Sequence, residues 1–525
     1  MKIKTALTTS FAAVSTIVAL FFSPVVLSKV NFAAKVNLEE ATIAQLQHQI
    51  RSGELSSVAL VQYYLDRIEQ HDDNGVRLNS VVQLNKNALK RARALDEERK
   101  VSGVRGPLHG LPVLLKDNID TADGMANTAG SLALQHNYPA DDAFLVHQLR
   151  KSGAIILGKA NLSEWANFRS THSSSGWSGL YGQSKNPYDT SRSPCGSSAG
   201  SAIAVAANLT MLAVGTETDG SVTCPASMNG VVGIKPSLGT VSRDGIIPLA
   251  HSQDTAGSMA RTVTDAVHLL AAMTGVDKQD AGTVKTVIDY VSHLQTQGLK
   301  GKRIGIVRNL MGYHPGVDKA FEAAVAVLKK QGAIIVDNTD IKTVGQWDEA
   351  EFEVLLYEFK ADLNDYLSKT TIAMGQPKSL AELIKYNEKH QQQEMPYFAQ
   401  ELFVMAQAKQ PLTDKAYIAH QQTAKRLSGK EGIDATLKKY QLDLLIAPTA
   451  QPAWKIDKIN GDHYMGSASS AAATSGYPHI TVPMGMVHGL PVGLSFFAGF
   501  LEEGKLIEAA FGYEQASLQR VKPEL

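Results

Sequence analysis

The sequence predicts an α/β layered fold around a largely buried sheet, organised as one large domain. Short apolar runs at 112–115, 154–157, 211–214, 303–307, 333–336, 443–446, 480–482 and 492–497 alternate with stretches of helical periodicity. Hydrophobic residues make up 44% of the 525 positions, enough to fill a large core and to exclude general disorder. Neither an internal repeat nor a low-complexity linker divides the chain, so one domain is expected rather than several.

Taken in order, the first residues read as an address. Lys2 and Lys4 precede an uncharged apolar run over 6–22, Pro24 breaks it, and Val26-Leu27-Ser28 offers a small residue before a cut. This is the basic, apolar and small-residue order of a secretory signal over 1–28. A membrane anchor is the rival, since such a run lies near the lower limit of ~17 residues for a spanning helix. Thr8, Thr9, Ser10, Ser15 and Thr16 interrupt the run and favour cleavage. The expected mature chain, 29–525, is soluble, periplasmic or secreted, and free of stable membrane association. Residues 41–71 have a helical pattern, with Ser56 or Ser57 as cap and Val58, Val61, Leu65 and Ile68 on one face. The region 277–440 is richer in Lys, Glu and Gln and reads as a mostly helical cap over the sheet, with two strand candidates near its start. The 51 basic and 51 acidic residues cancel, which argues against nucleic acid as the main partner.

Chemistry concentrates between Thr190 and Lys235. A run from Ser193 to Ser201, seven of whose nine residues are Ser, Gly or Ala, leads into the apolar residues Ile203, Val205 and Ala206. A Gly/Ser loop entering a helix leaves unpaired backbone N–H groups that suit an anion. The phosphate reading requires Gly-Lys-Ser/Thr, which is absent. A nucleophile elbow at Ser198 requires a preceding strand, which Asn186 to Pro194 cannot form. A second Gly/Ser turn, 215–221, leaves the apolar run 211–214, and Asp219-Gly220 permits a tight turn with N–H groups pointing at one atom. In the third element, 110–118, an apolar strand ends in Lys116, whose ammonium burial would disfavour. Each of the last two has an ordinary alternative: a turn serine, and a solvated lysine or one paired with Asp117.

Together these segments resemble the amidase signature family. Lys116, the loop 196–200 and Asp219-Gly220-Ser221 occur in the family's order, and 233–237, 241–248, 252–257, 447–449 and 483–493 also agree. The resemblance runs from about Asn37 to Ser517, weakest between 277 and 440. The run 216–221 and its flanking Cys195 and Cys224 are most similar to members acting on peptide amides, and Asp219 stands where many members carry a second Gly.

The resemblance implies a central mixed β-sheet flanked by helices and a Ser–cis-Ser–Lys triad. Ser221 would be the nucleophile, Ser197 the relay after a cis peptide bond, and Lys116 the neutral base. Backbone N–H groups of Thr218, Asp219, Gly220 and Ser221 would form the oxyanion hole. Neither metal nor organic cofactor is implied, and His109 and the other histidines show no ligand spacing. The expected substrate is a small carboxamide or a peptide, most readily at a C-terminal amide, and the expected state is a monomer. A broad aliphatic or aryl amidase is the alternative within the family. A solute-binding protein without catalysis is the alternative outside it. Cys195 and Cys224 must lie close together if the serines meet; a disulfide is open, with buried free thiols the more ordinary reading.

Overall fold

The computed structural model describes residues 37–285, 288–370 and 375–525, so the expected signal over 1–28 lies outside the described residues. The strands are β1 (Val81–Leu84), β2 (Pro112–Lys116), β3 (Ile155–Ala160), β4 (Trp177–Ser178), β5 (Gly182–Gln183), β6 (Leu212–Glu217) and β7 (Val232–Lys235). They continue as β8 (Thr255–Ala260), β9 (Arg303–Ile306), β10 (Ile334–Val336), β11 (Leu444–Pro448), β12 (His479–Val487) and β13 (Leu490–Phe497). Eleven form one sheet in the order β1-β3-β2-β6-β8-β7-β12-β13-β11-β9-β10, while β4 and β5 pair separately. The sheet is mixed: β2 lies parallel to β3 and β6, and β9 to β10 and β11, whereas β6, β8, β7, β12 and β13 are joined by antiparallel pairings. All eight expected strands are present. β1, β7 and β8 join them.

Every residue of β2, β3, β6, β7, β8, β11 and β13 is buried. Burial of successive residues, whose side chains point to opposite faces, requires cover on both sides. The helix Phe144–Lys151 packs on Val263–Met273, that helix on Glu503–Ser517, and Glu503–Ser517 on Pro315–Lys330, and all four lie against the sheet. The shorter Ala199–Ala206 and Thr223–Met228 pack together on the central strands. Near the start of the chain, the Ser56 hydroxyl accepts from the Ala59 N–H and caps the helix Ser57–Arg67, as its sequence predicts.

The region 277–440 divides in two. β9, β10 and the helix between them belong to the main sheet and its core, because their apolar runs complete an edge begun by β11. From Asp348 onward the chain is helical, and it covers the loops near the sheet centre. There Phe359 stacks on Phe403 at 5.2 Å and meets Phe168 edge-on, also at 5.2 Å. The fully buried Arg169 donates to the carbonyls of Glu394, Phe398 and Ala399, tying this layer to the segment after β3. Cys195 and Cys224 are joined in a disulfide, so the free-thiol reading does not hold. The loops that bear them converge across 29 residues of sequence, with the two Cα atoms 6.0 Å apart. Among the described residues, no helix is long and apolar enough to cross a membrane.

Candidate active site

Parallel pairing of β2 with β6, Val113 opposite Leu212 and Leu115 opposite Val214, brings the carboxyl ends of both strands together. Ligand crevices of α/β sheets form at such ends. Lys116 is the last residue of β2 and is fully buried. Its Nζ donates to Ser197 Oγ at 2.7 Å, to Thr216 Oγ1 at 2.8 Å and to the Thr216 carbonyl at 3.2 Å. Asn118 Nδ2 also donates to Thr216 Oγ1, at 2.9 Å. Asp117 projects from the opposite face of the strand, where its carboxylate accepts from Thr128, so the Lys116–Asp117 pairing is excluded. Among the described residues, no carboxylate touches Lys116. Burial lowers its pKa to about 7, against the opposing pull of the Asp254 and Glu217 charges.

Ser197 follows a cis peptide bond after Gly196. Its carbonyl accepts from the Ser163 N–H at 3.0 Å. Ser198, the elbow candidate, is fully buried and bridges the Thr216 backbone, its hydroxyl donating to the carbonyl at 3.0 Å and accepting the N–H at 3.1 Å. That is a structural clamp. Gly215 makes it feasible, since a Cβ there would lie 2.7 Å from Ser198 Oγ.

Ser221 stands beside this pair through two links. Its carbonyl accepts from the Ser198 N–H at 3.1 Å, and the Cys195–Cys224 bond joins the flanks of both serine loops. Gly220 has a φ of +74°, as the tight turn requires. Among the described residues, no hydrogen bond engages the backbone N–H groups of Asp219, Gly220 or Ser221. Glu217 Oε2 accepts from the N–H groups of Val222 at 2.7 Å and Thr223 at 2.9 Å, which fixes the far side of the turn.

Several residues of the site carry no mark in the sequence reading. Thr216 supplies two of the three Lys116 contacts. Asp254 accepts from the Thr218 hydroxyl at 2.5 Å and from the Leu249 and Ala250 N–H groups, and burial pushes its pKa up to about 6. Gln253 donates to the Thr218 carbonyl at 3.3 Å and to Glu351 at 2.8 Å. Ser469 donates to Asp219. The signal for Asp254 and Gln253 is the run 252–257 and that for Thr216 is the run 216–221, neither of which marks the side chain's role; Ser469 has none. His251, Glu358 and Asp362 approach one another closely enough to share an ion, yet His251 Nδ1 already meets Asp362 at 2.8 Å and Glu358 accepts from Ser252 and Tyr417.

Two openings flank Thr218 to Ser221. A cavity of about 20 Å³ lies against Asn118, Thr216, Thr218 and Asp254, walled by Trp165 and Leu249. A cleft of about 580 Å³ begins at Asp219 and runs between the helical layer and the loop before Ser470. A neutral amine, two hydroxyls and free N–H groups below such an opening can activate a serine and stabilise a tetrahedral oxyanion.

Comparison with known proteins agrees with this geometry. A family model described as Amidase matches residues 59–507. The native peptide amidase of Stenotrophomonas maltophilia is 51% identical, with a TM-score of 0.89, over 92% of this chain and 98% of that one. An amidase family protein of Bacillus anthracis is 39% identical, with a TM-score of 0.84, over 94% and 96% of the two chains. A protein of Arabidopsis thaliana named "Probable amidase" is 41% identical over 95% of this chain and 94% of its own length.

Proposed function

Since the chain belongs to the amidase family and is an amide-hydrolysing enzyme, we propose that it is an exported serine amidohydrolase cleaving C-terminal amides of peptides to acid and ammonia. The observation that supports the mechanism most is the 2.7 Å contact between Lys116 Nζ and Ser197 Oγ, sealed from water beside Ser221. Ser221 Oγ attacks the amide carbonyl carbon, and its proton passes through Ser197 to the neutral Lys116 amine. The oxyanion is received by the N–H groups of Thr218, Asp219, Gly220 and Ser221, each such donor typically contributing about 3–4 kcal/mol. As the C–N bond breaks, the proton returns along the same wire to the leaving nitrogen, and ammonia departs. Water then attacks the acyl-enzyme by the same relay and releases the acid.

The peptide reading is supported by the likeness to peptide amidase and by a cleft large enough for residues beyond the reacting one. The proposed export, with removal of residues 1–28, is supported by the disulfide, which persists in oxidising compartments. The proposed form is a monomer without a cofactor. A fluorophosphonate probe tests the mechanism: the folded wild type becomes labelled on Ser221, and Ser221→Ala does not. An unlabelled wild type points to a binding protein instead. Ammonia release from an amidated dipeptide, compared with a simple aliphatic amide, tests the substrate. Equal or faster release from the aliphatic amide removes the peptide reading.

A further inference from the structure

The cleft that begins at Asp219, two residues before Ser221, has a lining that amide chemistry alone does not require. Asp219, Asp348 and Glu351 all contribute to it, and no Lys, Arg or His does. The polar partners of these acids are uncharged: Ser469 for Asp219, Gln253 and Ser470 for Glu351. Among the described residues none of the three has a salt bridge. Burial pushes Asp219 and Glu351 upward, and the charge of Asp219 raises Glu351 further, so near neutrality Glu351 keeps its proton while Asp219 carries the charge. A negative charge held partly away from water with no cation in contact among the described residues, only the more distant Lys235 easing Asp219, is costly, and a cation entering the cleft relieves that cost. The walls suit the same guest. Tyr313, Trp347 and Tyr464 line the cleft, and aromatic faces attract ammonium and guanidinium groups.

Distance fixes where such a cation sits on the substrate. Asp219 is two positions from Ser221, and two extended residues span at most ~7 Å. We propose that this cleft is a subsite for an organic cation, an ammonium or guanidinium, carried on the acyl side within one or two residues of the scissile amide. The inference rests on the amidase reading and gives it a substrate class: peptide amides with a basic side chain or a free α-amine near the C-terminus.

The test uses pairs of amides that differ in charge. Nα-acetyl-arginine amide and Nα-acetyl-citrulline amide differ in charge at nearly constant shape and report on the side chain. Leu-Leu amide and its N-acetylated form report on the α-amine. At low salt, kcat/KM should favour the charged member of at least one pair by about tenfold or more, and ~0.5 M salt should shrink the ratio. Asp219→Asn should bring that ratio towards one, and Asp348→Asn should lower it. The ratio is internal to each variant, so a general loss of rate does not obscure it. Should Asp219→Asn fail to fold, Asp348→Asn alone carries the comparison. Ratios within twofold for both pairs in the wild type overturn the subsite and leave amide hydrolysis standing. A preference unchanged in every folded variant also overturns it. Turnover of none of the four amides, with Ser221 unlabelled by fluorophosphonate, removes the amidase reading and the subsite with it.

Discussion

Lys116 can serve as a base near neutrality because three of its surroundings are neutral oxygens and none is a carboxylate in contact. Burial therefore outweighs the opposing charges of Asp254 and Glu217, and the amine is lowered to about 7 from its ordinary value. The sign follows directly. Below that pH the group is an ammonium and cannot accept the proton that the proposed relay delivers; above it the amine is free. The kcat/KM of the wild type should rise with pH along a limb centred near 7 and then level, which a pH–rate profile checks. Lys116→Ala should cost about 10²–10⁴-fold at pH 7 and less at pH 10, where hydroxide substitutes for the missing base. An equal loss at both would exclude the base role. The roles proposed for Ser221, Ser197 and Lys116 are legible only through the family resemblance: Lys116 closes an apolar strand, Ser221 closes a Gly/Ser turn, and Ser197 lies inside the Ser/Gly-rich run 193–201. That of Thr216 is not, since a threonine at a strand end looks the same whether or not it binds an amine. Asp219 is legible only as a backbone donor, while its carboxylate faces a cleft that no local pattern reveals.

At the level of elements, the site depends on two loops held in mutual register. The Ser198 clamp on Thr216 and the Cys195–Cys224 bond are independent fasteners on the same junction. In the chain-entropy account, a bond closing a loop of 29 residues stabilises the fold by about 3–4 kcal/mol. Cys195→Ser with Cys224→Ser should lower the thermal midpoint accordingly, and reduction of the wild type should match the double variant. An unchanged melting curve would mean that packing alone holds the loops. The strands show the same division between what sequence reveals and what it hides. Those rich in Val, Ile and Leu stand out, whereas β8 reads Thr-Ala-Gly-Ser-Met-Ala and lacks an apolar signature despite complete burial. β7 is similarly diluted by Gly233 and Lys235. Small residues there admit close neighbours, which is a property of the assembled core rather than of the segment.

Across the whole molecule, a rigid sheet presents the reacting groups and a separate helical layer roofs them. The roof is seated by one aromatic cluster, Phe168, Phe359 and Phe403, and by Arg169. Phe359→Ala should cost about 3–5 kcal/mol if the vacated space stays open. Denaturant unfolding measures that cost, and limited proteolysis should report earlier cutting between 348 and 440 than in the sheet. A loss below ~1 kcal/mol would show the roof to be held elsewhere. Its helices are visible in composition, but the transfer of β9 and β10 to the main sheet is not, because strand pairing over more than 100 residues leaves no local trace.

The side-by-side alignment of β2 and β6 has one more implication. Strand side chains alternate, so losing a single residue between 112 and 116 would exchange the two sides of β2. The core would scarcely notice, since both flanks of that strand are oily. The reaction chamber would receive the acid now at Asp117 in place of an amine, turning a proton acceptor into a trapped anion. Volume-conserving apolar substitutions at 113–115 would thus be tolerated where the loss of one residue is not.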